Sequence, residues 1–146
     1  MSHRLSSGVL TWLYIYRITQ KMQRRLSAHL DQQHRLTPAQ FNVLAQLQQT
    51  PGISQQQLTD RLFVTKGNIV GILNRMEHCG LVTRQPHPQD GRTHMLILTE
   101  RGAKLAAQVI PEHEALVDAC IGLIATEDQR ILHDTLRRLN HALGAE

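Results

Sequence analysis

Side chains able to bond to base edges and phosphates recur in one stretch of this sequence: Lys66, Asn68, Asn74, Arg75, Arg84, Asp90 and Arg92. An Asn amide offers the donor–acceptor pair that matches adenine, and Lys or Arg suits guanine or phosphate. Upstream, Ser54, Gln55 and Gln56 are polar groups of the kind that touch phosphates and set register without reading sequence, and a solvated surface is the alternative. Gly67 and Gly71 each lower helix propensity by up to about 1 kcal/mol relative to Ala, which suits close approach to a DNA backbone or crowding inside the domain. Other chemistry has little to work with. The nine His are scattered, with no H-x₃-H or Cys/His cluster, so neither a metal nor a cofactor is expected. There is no G-x-S-x-G, no Gly-rich phosphate loop and no grouping of Ser, His and Asp, so the chain is not expected to be an enzyme. Cys79 and Cys120 make no disulfide framework. Cys120 sits among apolar residues and reads as a buried, inert thiol, and Cys79 ends a predicted helix, where the dipole raises a thiol pKa.

The balance of charge agrees with a polyanionic partner. Sixteen basic side chains face 12 acidic ones, a net of +4, in 146 residues. In residues 61–104 Arg61, Lys66, Arg75, Arg84, Arg92, Arg101 and Lys104 stand against Glu77, Asp90 and Glu100. Residues 1–35 are basic as well, whereas residues 105–146 carry three Arg against seven acids. Basic segments of this size suit nucleic acid, with a solvated basic surface as the alternative. The length fits one domain or one protomer of an oligomer. With an apolar share of 41% but an aromatic share of 3%, the core must be built from Leu, Ile, Val and Ala, which favours helices. No apolar run approaches the roughly 18 residues that span a bilayer, and Ser2, His3, Arg4, Ser6 and Ser7 do not look like a signal peptide. A soluble, cytoplasmic protein without a membrane partner is expected.

Elements that would position the polar cluster follow from punctuation and periodicity. A first helix, about Leu5 to Gln33, carries two apolar stripes: Leu5, Val9, Trp12, Tyr16, Leu26 and Leu30 on one, and Ile15, Ile18 and Met22 on the other. A surface helix of a monomer needs one apolar face, so two faces suggest a partner subunit. Thr37-Pro38 predicts a helix start, and Pro51-Gly52 its end. Ser54 to Gln57 fits a capping box, Phe63-Val64 a tight apolar turn, and Thr65 the cap of a helix reaching about Cys79 with Gly80 as its stop. Two β-type runs follow, Leu81–Arg84 and Met95–Leu98, joined across Pro86–Arg92. Thr99 predicts another helix cap, Pro111 a kink or interruption, and Thr126 to Gln129 a further capping box. Leu132, Leu136, Leu139 and Leu143 form a closing seam of the kind that packs helix on helix.

Short helix, tight turn, amphipathic helix and a hairpin with a basic tip make a winged helix-turn-helix, a mainly α fold with a small β-hairpin wing. A helix fits the major groove, and an Arg at a hairpin tip fits the negative potential of a narrow minor groove. The free helix ends at Ser54 and Thr65 can offer N–H groups to phosphates.

The run Thr65-Lys-Gly-Asn-Ile-Val-Gly-Ile-Leu-Asn-Arg-Met-Glu-His-Cys-Gly-Leu-Val82 resembles the recognition helix of the MarR-type transcriptional regulators. Asp90-Gly-Arg92-Thr-His-Met-Leu96-Ile-Leu98-Thr99 is similar to that family's wing pattern, D-x-R-x-x-x-L-x-L-T, at every fixed position. The resemblance spans nearly the whole chain. It implies homodimers interlocked through terminal helices, with a dimerisation helix over 1–35, a DNA-binding domain over 36–100 and further dimerisation helices over 101–146. It also implies double-stranded DNA with a pseudo-palindromic operator as partner, and repression relieved by a small aromatic effector. Arg92 would be the wing arginine that enters the minor groove, with Asp90 orienting it through a charge-assisted hydrogen bond. Ser54, Gln55, Gln56, Thr65, Lys66, Asn68, Gly71, Arg75 and Arg84 would complete the DNA contacts. Trp12, Tyr16 and His29 would line an effector site. Redox-responsive members use a first-helix cysteine beside Tyr partners; here Tyr14 and Tyr16 are present without a Cys. A thiol-oxidation-responsive regulator, a winged-helix protein-interaction module without DNA binding, and a small histidine enzyme are the competing readings.

Overall fold

The computed structural model describes residues 5–62 and 65–144. In chain order these form α1 (Ser7–His34), α2 (Pro38–Gln49), β1 (Ile53–Ser54), α3 (Gln55–Leu62), α4 (Lys66–His78), β2 (Val82–His87), β3 (Asp90–Leu98), α5 (Glu100–Ile121) and α6 (Thr126–Leu143). The expected turn at Phe63-Val64 lies outside the described residues. Two compact units divide the chain, one reaching His113 and the other starting at Glu114.

Local chemistry sets most boundaries of the first unit. Ser6 caps α1 by accepting the Val9 N–H at 3.3 Å. The helix ends at Arg35, in the left-handed region with φ 55°, and the Leu36 N–H returns to the Leu30 carbonyl at 3.1 Å. Thr37 caps α2 with a full capping box: its hydroxyl accepts the Gln40 N–H at 3.2 Å while the Gln40 amide oxygen accepts the Thr37 N–H at 2.9 Å. Gly80 has a positive φ of 67° just past the α4 end, the conformation that lets the chain turn into β2. Two side chains from the α5 start secure that corner. The Thr99 hydroxyl donates to the Gly80 carbonyl at 2.6 Å, and the Arg101 guanidinium to the Cys79 carbonyl at 2.9 Å.

The sheet has one strand more than the expected hairpin. Its order is β1-β3-β2, antiparallel throughout. Ile53 pairs with Leu96, Val82 with Leu98 and Pro86 with His94, and a register shift follows Pro86. β1 escaped the sequence reading because two residues show no alternation. The core lies under this sheet and among α2, α3 and α4: Val43, Leu44, Leu47, Leu58, Ile69, Leu73, Met76 and Leu96 are fully buried, joined by Leu30 from α1 and by Ala106 and Val109 from α5. Gly102 lets α5 approach the sheet edge; a Cβ there would lie well inside van der Waals contact with the Leu81 carbonyl oxygen. Of the kink or interruption expected at Pro111, the interruption does not occur: the residue lies inside the α5 span. At the next residue, Glu112 reaches α1, where its Oε2 lies 2.6 Å from Nε2 of His34 and 3.3 Å from Nε2 of His29. The hydrogen bond from His34 holds the Glu112 carboxyl below the usual carboxylate range.

In the second unit, α6 begins one residue earlier than a Thr126 cap would require. Ala125 occupies the cap position and no side chain caps the end, so the capping box expected at Thr126–Gln129 does not form. The Gln129 amide donates to the Ile124 carbonyl at 2.9 Å instead. No residue of α6 is buried within the chain, and Ile131, Leu132, Leu136, Leu139 and Leu143 are exposed.

Candidate nucleic-acid interface

The Ser54 hydroxyl accepts the Gln57 N–H at 3.1 Å while the Gln57 amide oxygen accepts the Ser54 N–H at 2.8 Å, the reciprocal cap read from the sequence. Within α3 the neighbouring polar groups bond locally: the Gln55 carbonyl takes the Thr59 hydroxyl at 2.7 Å, and the Gln56 amide donates to Asp60 at 2.7 Å. With Leu58 and Thr59 turned inward, α3 supports α4 from one side.

α4 separates its residues by face. Thr65 caps it, its hydroxyl accepting the Asn68 N–H at 3.3 Å. Ile69, Ile72, Leu73 and Met76 are buried, which leaves Lys66, Asn68, Val70, Asn74 and Arg75 on the exposed side. A Cβ at Gly67 would meet nothing within 4 Å, and one at Gly71 would meet only the Arg75 guanidinium at 3.7 Å, an ordinary contact. Packing within the domain therefore does not require either glycine.

The wing holds two arginines in different states. The Arg84 guanidinium forms an ion pair with Glu77 and donates to the Asn74 amide oxygen at 3.1 Å, tying β2 to α4. Asp90 does not make the hydrogen bond to the Arg92 guanidinium that the resemblance implies. Its Oδ1 accepts the Arg92 backbone N–H at 3.0 Å and its Oδ2 the Thr93 hydroxyl at 2.9 Å. A two-residue spacing brings an Asp carboxylate to the backbone, as in an Asx turn, before it can bring it to the end of a long side chain. The Arg92 N–H first, and the Thr93 hydroxyl second, hold the Asp90 carboxyl below the usual range. Among the described residues, the side chains of Lys66, Arg75 and Arg92 have no hydrogen-bond or ion-pair partner, and all three residues are exposed. Glu77 and Thr93 were missed by the sequence reading; an acid seven residues before Arg84 was the one signal for the former.

Elsewhere, Trp12 and Tyr16 are exposed on α1 with ring centroids 6.3 Å apart. A cavity of about 870 Å³ lies in the first unit between α1, α2 and α5, and its lining includes Arg24, Leu30, Leu36, Phe41 and His113. Phe41 and His113 stack there at 4.1 Å. Trp12, Tyr16 and His29 are not among its lining residues. Cys79 is exposed, and Cys120 is half-buried rather than buried.

Comparison with known proteins accounts for this arrangement. The MarR family sequence profile matches residues 35–93. An HTH-type transcriptional regulator of Bacillus cereus, itself uncharacterised, is 31% identical over 134 residues, covering 91% of this chain and 88% of the relative. The chain belongs to the MarR family. AbsC, a MarR family transcriptional regulator from Streptomyces coelicolor, superposes with a TM-score of 0.83 at 25% identity, over 99% of this chain and 100% of that one. FabT of Streptococcus pneumoniae, seen in complex with DNA, shares the fold with a TM-score of 0.83 at 21% identity, over 94% of this chain and 97% of its own. This MarR-family chain is thus an HTH-type, DNA-binding transcriptional regulator with a winged-helix fold. No described helix is long and apolar enough to cross a membrane.

Proposed function

We propose that two copies of this chain bind a pseudo-palindromic operator in double-stranded DNA and repress transcription until a small aromatic effector releases them. The observation that carries the reading is the split among the basic groups. Arg84 is tied to Glu77 and Asn74, whereas Lys66, Arg75 and Arg92 are exposed and unpartnered among the described residues. Exposed cations of this kind are open to phosphates and base edges, and each phosphate neutralised releases counterions.

In this reading α4 enters the major groove with Lys66, Asn68 and Arg75 facing the bases, and Gly71 lets the helix backbone come close. Arg92 enters the adjacent minor groove from a wing tip that Asp90 braces. Arg84 acts as a positioning residue between α4 and β2. Ser54, Gln55, Gln56 and Thr65 lie at helix starts, where their N–H groups and side chains meet phosphates. The exposed apolar residues of α1 and α6 are covered by the second copy, and the paired α4 helices then address grooves about 34 Å apart. The effector enters the cavity beside Phe41 and His113, where Arg24 suits a carboxylate. Trp12 and Tyr16 belong with the dimer face. The protein works in the cytoplasm by binding and carries out no catalysis.

A band-shift titration with the DNA upstream of the protein's own coding sequence tests this. Affinity is expected to fall steeply with salt and to drop when an aromatic carboxylate is added. Failure to bind this DNA, or fragments selected from a random library, would remove the operator reading in favour of a protein-interaction module.

A further inference from the structure

We infer that His29, His34 and Glu112 form a binding site for a divalent first-row transition-metal ion that cross-links α1 to α5. The histidine spacing in the sequence had suggested no metal, but the fold joins residues 78 positions apart. Both imidazoles aim Nε2 at one carboxylate oxygen, at 2.6 and 3.3 Å, and the three ligand atoms all lie within 4.8 Å of one another. A tetrahedral Zn²⁺ with bonds of about 2.0–2.1 Å needs ligands roughly 3.4 Å apart. Small side-chain rotations therefore suffice to seat an ion where the three atoms converge.

The donor set selects the class of ion. Two imidazoles and one carboxylate suit zinc, nickel or copper, whereas calcium and magnesium favour all-oxygen shells. With three protein ligands, water completes the coordination. An entry path exists, because the His29 and Glu112 side chains are 30% and 38% exposed while His34, at 6%, forms the floor. The surroundings are prepared as well. Gln108 donates to the other Glu112 oxygen at 3.3 Å and orients the carboxylate, as outer partners of metal sites do. His29 and His34 are held edge to face, with ring centroids 5.8 Å apart. His29 and His34 sit on the last turns of α1, and Leu30, between them, is a wall of the cavity. A bound ion would thus fix the frame around that cavity.

This inference does not depend on DNA binding, and its test uses none. Metal-free full-length protein is titrated with zinc chloride by calorimetry. One ion per chain is expected, together with a rise in Tm that grows with zinc concentration. Glu112→Gln and His29→Gln, both at partly exposed positions, are each expected to weaken binding at least about tenfold. In ¹⁵N-labelled wild-type protein, zinc should shift Nε2 of His29 and His34 and leave the other imidazoles in place, a readout that needs no variant. Absence of zinc uptake, variants that bind like wild type, or shifts confined to other histidines would overturn the proposal. Zinc uptake at this site by a protein that ignores every DNA tried would leave it standing and remove only the operator reading.

Discussion

Arginines at three positions of the first unit separate two physical roles. Arg61 bonds to the Thr50 hydroxyl at 2.9 Å and Arg84 to Glu77 and Asn74, so both serve the fold, whereas Arg92 projects from the wing without a protein partner among the described residues. Arg92→Ala should therefore weaken operator binding by about 1–3 kcal/mol and leave the unfolding curve unchanged. Arg84→Ala should instead lower stability by about 1 kcal/mol, because it breaks a partly shielded ion pair and a hydrogen bond to the Asn74 amide. Denaturant melts and fluorescence anisotropy on the same two variants check both statements. Asp90 gives a pH test at the same tip. Its folded carboxyl titrates below the unfolded one, so its bracing of the wing is complete above the unfolded value and is lost as pH falls through the folded value. NMR titration should place the Asp90 midpoint below that of a peptide Asp, and the Arg92 amide proton should move with the same midpoint. An Arg92 amide indifferent to that titration would mean that the hydrogen bond does not persist in solution.

Helices and strands were legible wherever one residue makes the boundary, and obscure wherever the boundary depends on tertiary contact. Thr37, Ser54, Thr65 and Thr99 each bond to a backbone N–H within the next turn, and these local bonds are what a capping pattern encodes. Thr126 carries the same pattern but lies one position inside α6, since Ala125 already occupies the cap conformation. β1 exists through pairing with a strand more than forty residues away, and no window of sequence contains that fact. The same limit hid Glu77 beside Arg84 and Glu112 beside His34, whereas the exposed face of α4 followed directly from its period. Gly102 is the sharpest case of an element set by a neighbour. Gly102→Ala should cost about 3 kcal/mol, because the added methyl meets the Leu81 backbone and α5 must shift to make room. On α4 the opposite sign is expected. Gly71→Ala has space, so it should raise stability by up to about 1 kcal/mol while lowering operator affinity if the helix backbone lies against DNA. Thermal melts and band shifts on that single variant separate helix propensity from DNA approach; equal or tighter DNA binding would show that the glycine does not serve it.

At the scale of the molecule, burial within one chain leaves a conspicuous remainder. α6 spans 18 residues with none buried, yet it carries Ile131, Leu132, Leu136, Leu139 and Leu143. Single exposed leucines are ordinary on a protein surface, but a continuous apolar seam on one helix marks an interface. α1 shows the same imbalance at Val9, Trp12 and Ile18. In the dimer proposed above a second copy covers this seam, and its heptad-like 4-3-4 spacing suits that occupant, since identical seams can pack knobs into holes. Leu136→Glu combined with Leu139→Glu places charges at exposed positions outside the chain's buried core, so helicity by circular dichroism should be retained. Sedimentation should then show wild-type protein as a dimer and the double variant as a monomer. The consequence for DNA follows from counterion release: a monomer neutralises half as many phosphates, so the slope of log affinity against log salt should fall to roughly half its wild-type value. A double variant that still sediments as a dimer would move the interface off α6, and one that is monomeric with an unchanged salt slope would mean that the two copies do not grip the operator together.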